Sequence, residues 1–183
     1  MQDIKNKIWF TYKARIQAHI RLSRADLHSQ ILLVWYALLS AGLAIVAIRY
    51  PTILGPNTDI ISALLGVFLL GISMAVANRD FRGRGIAMCQ NYQNLQRLYD
   101  SLGASSLDDD VIGKYHDLLG QVENHRGIDD KVFRVLHAAD LCSRHPVKRE
   151  YISAYGYLIW RVVVLAFLYL SPLCIIFSFY ECC

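Results

Sequence analysis

Apolar positions along this chain fall into two patterns. In the first, Ile4, Ile8, Tyr12, Ile16 and Ile20 recur at every fourth place, with Trp9 and Leu27 beside them. Lys7, Lys13, Arg21 and Arg24 fall on the opposite side of the helical wheel. That spacing predicts an amphipathic helix with a basic face. In the second pattern, charge disappears. Residues 31–48, 60–77 and 162–180 contain no Lys, Arg, Asp or Glu, and each run is 18 or 19 residues long. A helix needs roughly 20 apolar residues to cross a ~30 Å hydrocarbon core, so each run reads as a membrane span.

The punctuation between these stretches is helical throughout. No Pro or Gly precedes Gly42, so one helix is expected from about Ile4 into the first span. Such a helix either lies on an anionic leaflet or packs against other helices outside the membrane. Continuity with a span favours packing, because lying flat would require a break. Pro51, Gly55 and Pro56 mark residues 49–59 as a short turn, which makes the first two spans an antiparallel hairpin. The second span leaves the membrane at Asn78-Arg79-Asp80, where Gly83 and Gly85 loosen the helix. Helical spacing resumes through Cys89, Tyr92, Leu95, Leu98 and Leu102.

Ser105-Ser106 followed by Asp108-Asp109-Asp110 caps a further helix, because carboxylates favour a helix N-terminus. That helix runs to about Asn124 and ends at His125-Arg126-Gly127. Asp129-Asp130 opens another, carrying Val132, Phe133, Val135, Leu136 and Leu141, which His145-Pro146 breaks. A last helix leads from about Lys148 into the third run, with a kink expected at Ser171-Pro172. No strand signal exceeds a few residues, and there is no internal repeat. The expected fold is an all-α membrane protein. A basic amphipathic helix (1–30) leads into a long-helix transmembrane hairpin (31–77). A cytoplasmic helical bundle (78–157) and a C-terminal third transmembrane helix (158–180) follow.

Charge orients this arrangement. Of 19 Lys and Arg, 18 lie before the first run or between the second run and the start of the third, and only Arg49 lies in the hairpin turn. Lys and Arg of short loops stay on the cytoplasmic side, so the N-terminus is expected inside and the C-terminus outside. Arg79, Arg82, Arg84 and Arg161 fall at the inner membrane edge. All four read as positive-inside anchors, and for Arg79, Arg82 and Arg84 binding of a lipid or nucleotide phosphate is the sharper alternative. Hydrophobic content of 55% follows from the spans within 183 residues, as does the mean hydropathy of +0.30. The net charge of +4 is distributed as for a membrane surface rather than a nucleic-acid partner. About thirty polar residues before the first run are the wrong layout for a secretory signal.

The chain lacks a persuasive catalytic constellation, and an enzyme, a cofactor or a metal site is not expected. The His residues do not share ligand spacing, and no CxxC pair is present. Asp108-Asp109-Asp110 reads either as a divalent-cation site or as a solvated cap. Gly83-Arg84-Gly85 is too short for a phosphate-cradling loop. Cys89 and Cys142 stand alone, Cys174 lies in the third run, and Cys182-Cys183 are either plain terminal thiols or sites of acylation or oxidation.

The spans carry a different signal. Ala37, Ala41 and Ala44 share one side of the first. In the second, Ser62 with Gly66 and Gly71 with Ala75 form small-xxx-small pairs. Small residues let helices approach closely in lipid, either between copies or within one chain. A pore built from these spans would be lined by apolar groups with Ser62, Ser73 and Asn78, a dewetting gate rather than a charged filter.

The segment Trp9-Phe-Thr-Tyr-Lys13-Ala-Arg15-Ile-Gln-Ala-His-Ile-Arg21-Leu22, running straight into a span, resembles the start of SLATT proteins, the SMODS- and SLOG-associating two-transmembrane effectors of bacteria. Phe81, Arg84, Asn91, Tyr92 and Leu98 after the hairpin support the resemblance. So do Tyr115, Leu118-Leu119 and Glu123-Asn124-His125. The chain resembles in particular the subfamily often found beside reverse transcriptases, and a full third span departs from the two-span pattern. The resemblance implies a homo-oligomeric effector in the bacterial inner membrane, acting in anti-phage defence. It would be triggered through a reverse transcriptase or a nucleotide-second-messenger synthase and would end infection by opening a pore. The residues alone leave two rivals, a non-conducting tether or sensor that recruits a cytoplasmic partner, and a membrane enzyme, the weaker of the two.

Overall fold

Nothing interrupts the first helix. In the computed structural model, which describes residues 2–102, 109–141 and 143–181, α1 runs unbroken over Gln2–Arg49. At 1.5 Å per residue that is roughly 70 Å of rod. The chain then turns through residues 50–57 into α2, Thr58–Arg79. Gly55 supplies the positive φ of 94° that the turn requires. The buried Thr58 hydroxyl ties the turn, accepting from the Leu54 N–H at 3.0 Å and donating to the Gly55 carbonyl at 2.7 Å.

α2 ends one residue before α3, Phe81–Ser101, begins. The break falls on Asp80, which takes the left-handed conformation at φ 41°, and not on Gly83 or Gly85, which lie inside α3. An Asp tolerates this region better than most residues. α4 covers Asp109–Gly120, α5 Gly127–Leu136 and α6 Lys148–Glu181. The expected cap at residues 105–108 lies outside the described residues. α6 continues through Pro172 without ending. Among the described residues every named element is helical, and α1, α2 and α6 are long and apolar enough to cross a membrane. The protein is an all-α membrane protein.

The chain divides into two compact units. The first, the helical unit, holds the chain up to Arg24 and Phe81–Ile159. Here the first half of α1 is surrounded. Ile8 and Tyr12 pack with Leu95, Leu98 and Leu102 of α3 and with Val111 and Tyr115 of α4. Phe10 packs with Phe133 and Leu141, and Ala18 and Leu22 pack with Met88. Val132 and Val135 of α5 close on Ala154 of α6. The α1 stem is thus a core helix of this unit, packed on α3, α4 and α5.

Its buried side is wider than the every-fourth-residue stripe, because Phe10, Ala14, Ala18 and Arg21 fall on a second packed face. Arg21, expected on the water side, is for that reason half-buried and paired with Asp129. At Gly85 α3 lies close against α1, a Cβ there lying 3.6 Å from the Leu22 Cβ.

The second, the membrane unit, holds Ala25–Asp80 and the chain from Trp160 onward. Its apolar surface faces outward almost everywhere. α1 and α6 meet through Tyr36, whose hydroxyl donates to the Leu168 carbonyl at 2.8 Å and lies 3.1 Å from the Ser171 Oγ. Pro172 has no N–H to offer Leu168, the carbonyl four residues earlier, so Tyr36 supplies the missing donor. His28 Nδ1 lies 3.4 Å from the Tyr169 hydroxyl on the same pair of helices.

Candidate functional site

The centre of the helical unit is polar. Arg15 of α1 is 1% exposed and Asn91 of α3 is 2% exposed. A guanidinium this deep normally faces a carboxylate. Arg15 faces amide oxygens instead. Its Nη1 donates to the Asn91 side-chain oxygen and, at 3.2 Å, to the Leu118 carbonyl. Its Nη2 donates to the Leu119 carbonyl at 3.3 Å. Asn91 Nδ2 donates to the Leu118 carbonyl as well, at 2.7 Å. Leu118 and Leu119 belong to the last turn of α4, where carbonyls lack intrahelical donors and the helix dipole is negative. Arg15 therefore caps α4 from inside the core. Arg15 Nε and His125 Nδ1 are buried without a hydrogen-bond partner. Burial pushes the Arg15 pKa down. Burial, and then the Arg15 charge, push that of His125 down.

Two further guanidinium pairs surround this centre. Arg21 of α1 grips Asp129 of α5 with both ends, at 2.8 and 3.1 Å. Asp129 is 3% exposed and also accepts the Arg126 N–H at 2.9 Å, capping α5. Arg134 of α5 reaches Asp130 at 2.9 Å and pairs with Glu150 at the start of α6. The Arg134 hydrogen bond holds the Glu150 carboxyl below the usual carboxylate range. Short α5 thereby bridges the two stems, holding α1 through Asp129 and α6 through Arg134.

The small residues of the second span are separated by the helix. Ser62, Leu69, Ser73 and Val76 are the half-buried stripe of α2. Ser62 donates back to the Thr58 carbonyl at 2.9 Å. Gly66, four residues past Ser62 and three before Leu69, is exposed but lies on the side of that stripe. Gly71 lies nine residues past Ser62, about two and a half turns, so it and Ala75 sit on the opposite, exposed side. A Cβ added at Gly66 or Gly71 meets nothing within 4 Å. Ala37, Ala41 and Ala44 of α1 are also exposed. Of the basic positions, Arg79 and Arg82 are exposed and Arg161 is half-buried. Arg84 is engaged by Glu123 in three hydrogen bonds of 2.7 to 3.0 Å.

Arg15, Asn91, Asp129 and His125 were not singled out as a site by charge or motif. A signal existed, since Arg15 is seven residues after Ile8 and falls on the apolar stripe. Arg15, Asn91 and His125 are also among the residues that carry the family resemblance, and the fold gathers them at one place.

A family model described as SMODS and SLOG-associating 2TM effector domain family 5 matches residues 1–179. No curated protein and no solved structure matches the chain.

Proposed function

The chain belongs to the SMODS and SLOG-associating 2TM effector domain family 5, and on that premise we propose that it is an oligomeric effector that permeabilises the bacterial inner membrane. Its N-terminus and helical unit face the cytoplasm and its C-terminus lies outside, as the basic residues arrange themselves. The observation that carries this reading is the outward placement of Gly71 and Ala75 on α2. Small side chains give lipid tails little to pack against, whereas a second helix can approach closely over them. Ser62 and Ser73 stay on the inner stripe. A path along these helices is apolar and opens by assembly and wetting rather than by a ring of charge. The trigger reaches the helical unit from a partner of the kind that the family's description names, or from a reverse transcriptase.

Ion flux from liposomes containing the purified protein tests this. Wild type carries flux once assembled, and Gly66→Leu with Gly71→Leu abolishes it while leaving the helical unit folded. Flux unchanged by both substitutions refutes the oligomer face. A wild-type protein that binds a cytoplasmic partner yet never conducts supports the tether instead.

A further inference from the structure

We infer that Arg15 is the release point of the helical unit, a buried cation with no counter-ion among the described residues, which destabilises the closed packing of α1 against α3 and α4. This deepens the effector reading and rests on it, since it names the element through which opening is regulated.

Three observations converge. First, Arg15 is 1% exposed and its partners among the described residues are neutral oxygens, those of Asn91, Leu118 and Leu119. Taking a guanidinium out of water costs several kcal/mol, and amide dipoles return less of this than a carboxylate does. Second, satisfaction is incomplete, for Nε has no partner although it is buried. Third, the groups that hold Arg15 come from two other helices, and nothing from α1 itself satisfies it. Separation of α1 from the α4 C-terminus therefore hydrates the cation and recovers its solvation.

The neighbouring pairs behave differently. Arg21–Asp129 and Arg134–Glu150 are matched charges and resist opening. The closed unit is thus clamped along α5 and weak at Arg15. α1 continues as one helix from Arg15 into the first span, so the element that this site biases is the one that enters the membrane. A ligand or partner that favours the hydrated form shifts the equilibrium by its differential affinity and needs no contact with the spans.

The opposite substitutions separate this from a purely structural role. A structural Arg15 stabilises the unit, and its loss loosens it. A release point does the reverse: Arg15→Met keeps the volume, removes the charge and tightens the closed state. Asn91→Asp leaves Arg15 in place and gives it a carboxylate, with the same expected direction, and it stands as the second variant should Arg15→Met fail to fold.

Hydrogen exchange on the full chain in nanodiscs reads the closed state directly. Amides of the α4 C-terminal turn and the facing part of α3 should exchange about tenfold or more slowly in either variant than in wild type. Flux through liposomes should fall in parallel. Faster exchange in the folded variants overturns the inference. So does slower exchange with undiminished flux, because the tightened site would then not restrain opening. Wild-type protein that carries no flux overturns the effector reading, while exchange still decides whether Arg15 weakens the unit.

Discussion

Replacing Tyr36 by Phe removes one oxygen from the membrane unit and leaves its packing volume nearly unchanged. The structure makes the consequence calculable. Leu168 lacks the usual donor four residues ahead because Pro172 has no N–H, and Tyr36 donates to it at 2.8 Å. Interhelical hydrogen bonds in membranes are worth about 0.6 kcal/mol on average and up to about 1.7. A carbonyl left alone in hydrocarbon sits at the upper end or beyond. Ser171, whose Oγ lies 3.1 Å from the Tyr36 hydroxyl, is three residues past Leu168 and can rotate to replace part of the loss. The expected cost of Tyr36→Phe is therefore about 1 kcal/mol, rising to about 2 kcal/mol when Ser171→Ala is added. Pro172→Ala restores the helix N–H, and in that background Tyr36→Phe should cost only a few tenths of a kcal/mol, about the scatter expected for uncoupled sites. Equilibrium unfolding in bicelles, followed by energy transfer between labels on α1 and α6, measures each corner of the cycle. An equal cost with and without Pro172 refutes the reasoning.

Other consequences concern the helical unit. Asp129→Ala strands Arg21 and removes the α5 cap, and should cost about 3–5 kcal/mol in thermal or denaturant unfolding. Glu123→Ala, which removes three hydrogen bonds from a half-exposed Arg84, should cost about 1 kcal/mol or less. The pH dependence follows from His125, whose folded pKa lies below its ordinary 6.5. Its contribution is intact above pH 6.5 and is lost as pH falls from there toward the folded pKa, since the unfolded chain takes up the proton first. A unit whose midpoint stays flat through this window in wild type, or falls equally in His125→Gln, contradicts the assignment. Leu95→Ala, at a fully buried position among α1, α3 and α4, should lower stability by about 2–5 kcal/mol.

How much of this was legible in the sequence depends on which interactions set each feature. The spans and the uninterrupted α1 follow from composition and from the absence of Pro and Gly, both local properties. The turn at Pro51, Gly55 and Pro56 is equally local. The break at Asp80 was displaced from the expected glycines because backbone conformation there is set by where α2 stops. Arg21 was misplaced because a wheel shows the apolar side of one helix, not how many neighbours surround it. Arg15 looked like one more cytoplasmic charge. Only the three-dimensional meeting of α1, α3 and the α4 terminus shows that it is buried. The small-xxx-small pairs could be read from spacing, but their division between the inner and outer sides of α2 needed the half-buried stripe through Ser62 and Ser73.

The claim that copies meet through the outer side of α2 is tested most directly by cysteine cross-linking in native membranes. With the five natural Cys replaced by Ser, a single Ala75→Cys should form a chain-to-chain disulfide on mild oxidation. Leu69→Cys, on the half-buried stripe, should not. An Ala75→Cys protein that remains monomeric, or one that cross-links no faster than Leu69→Cys, contradicts the account.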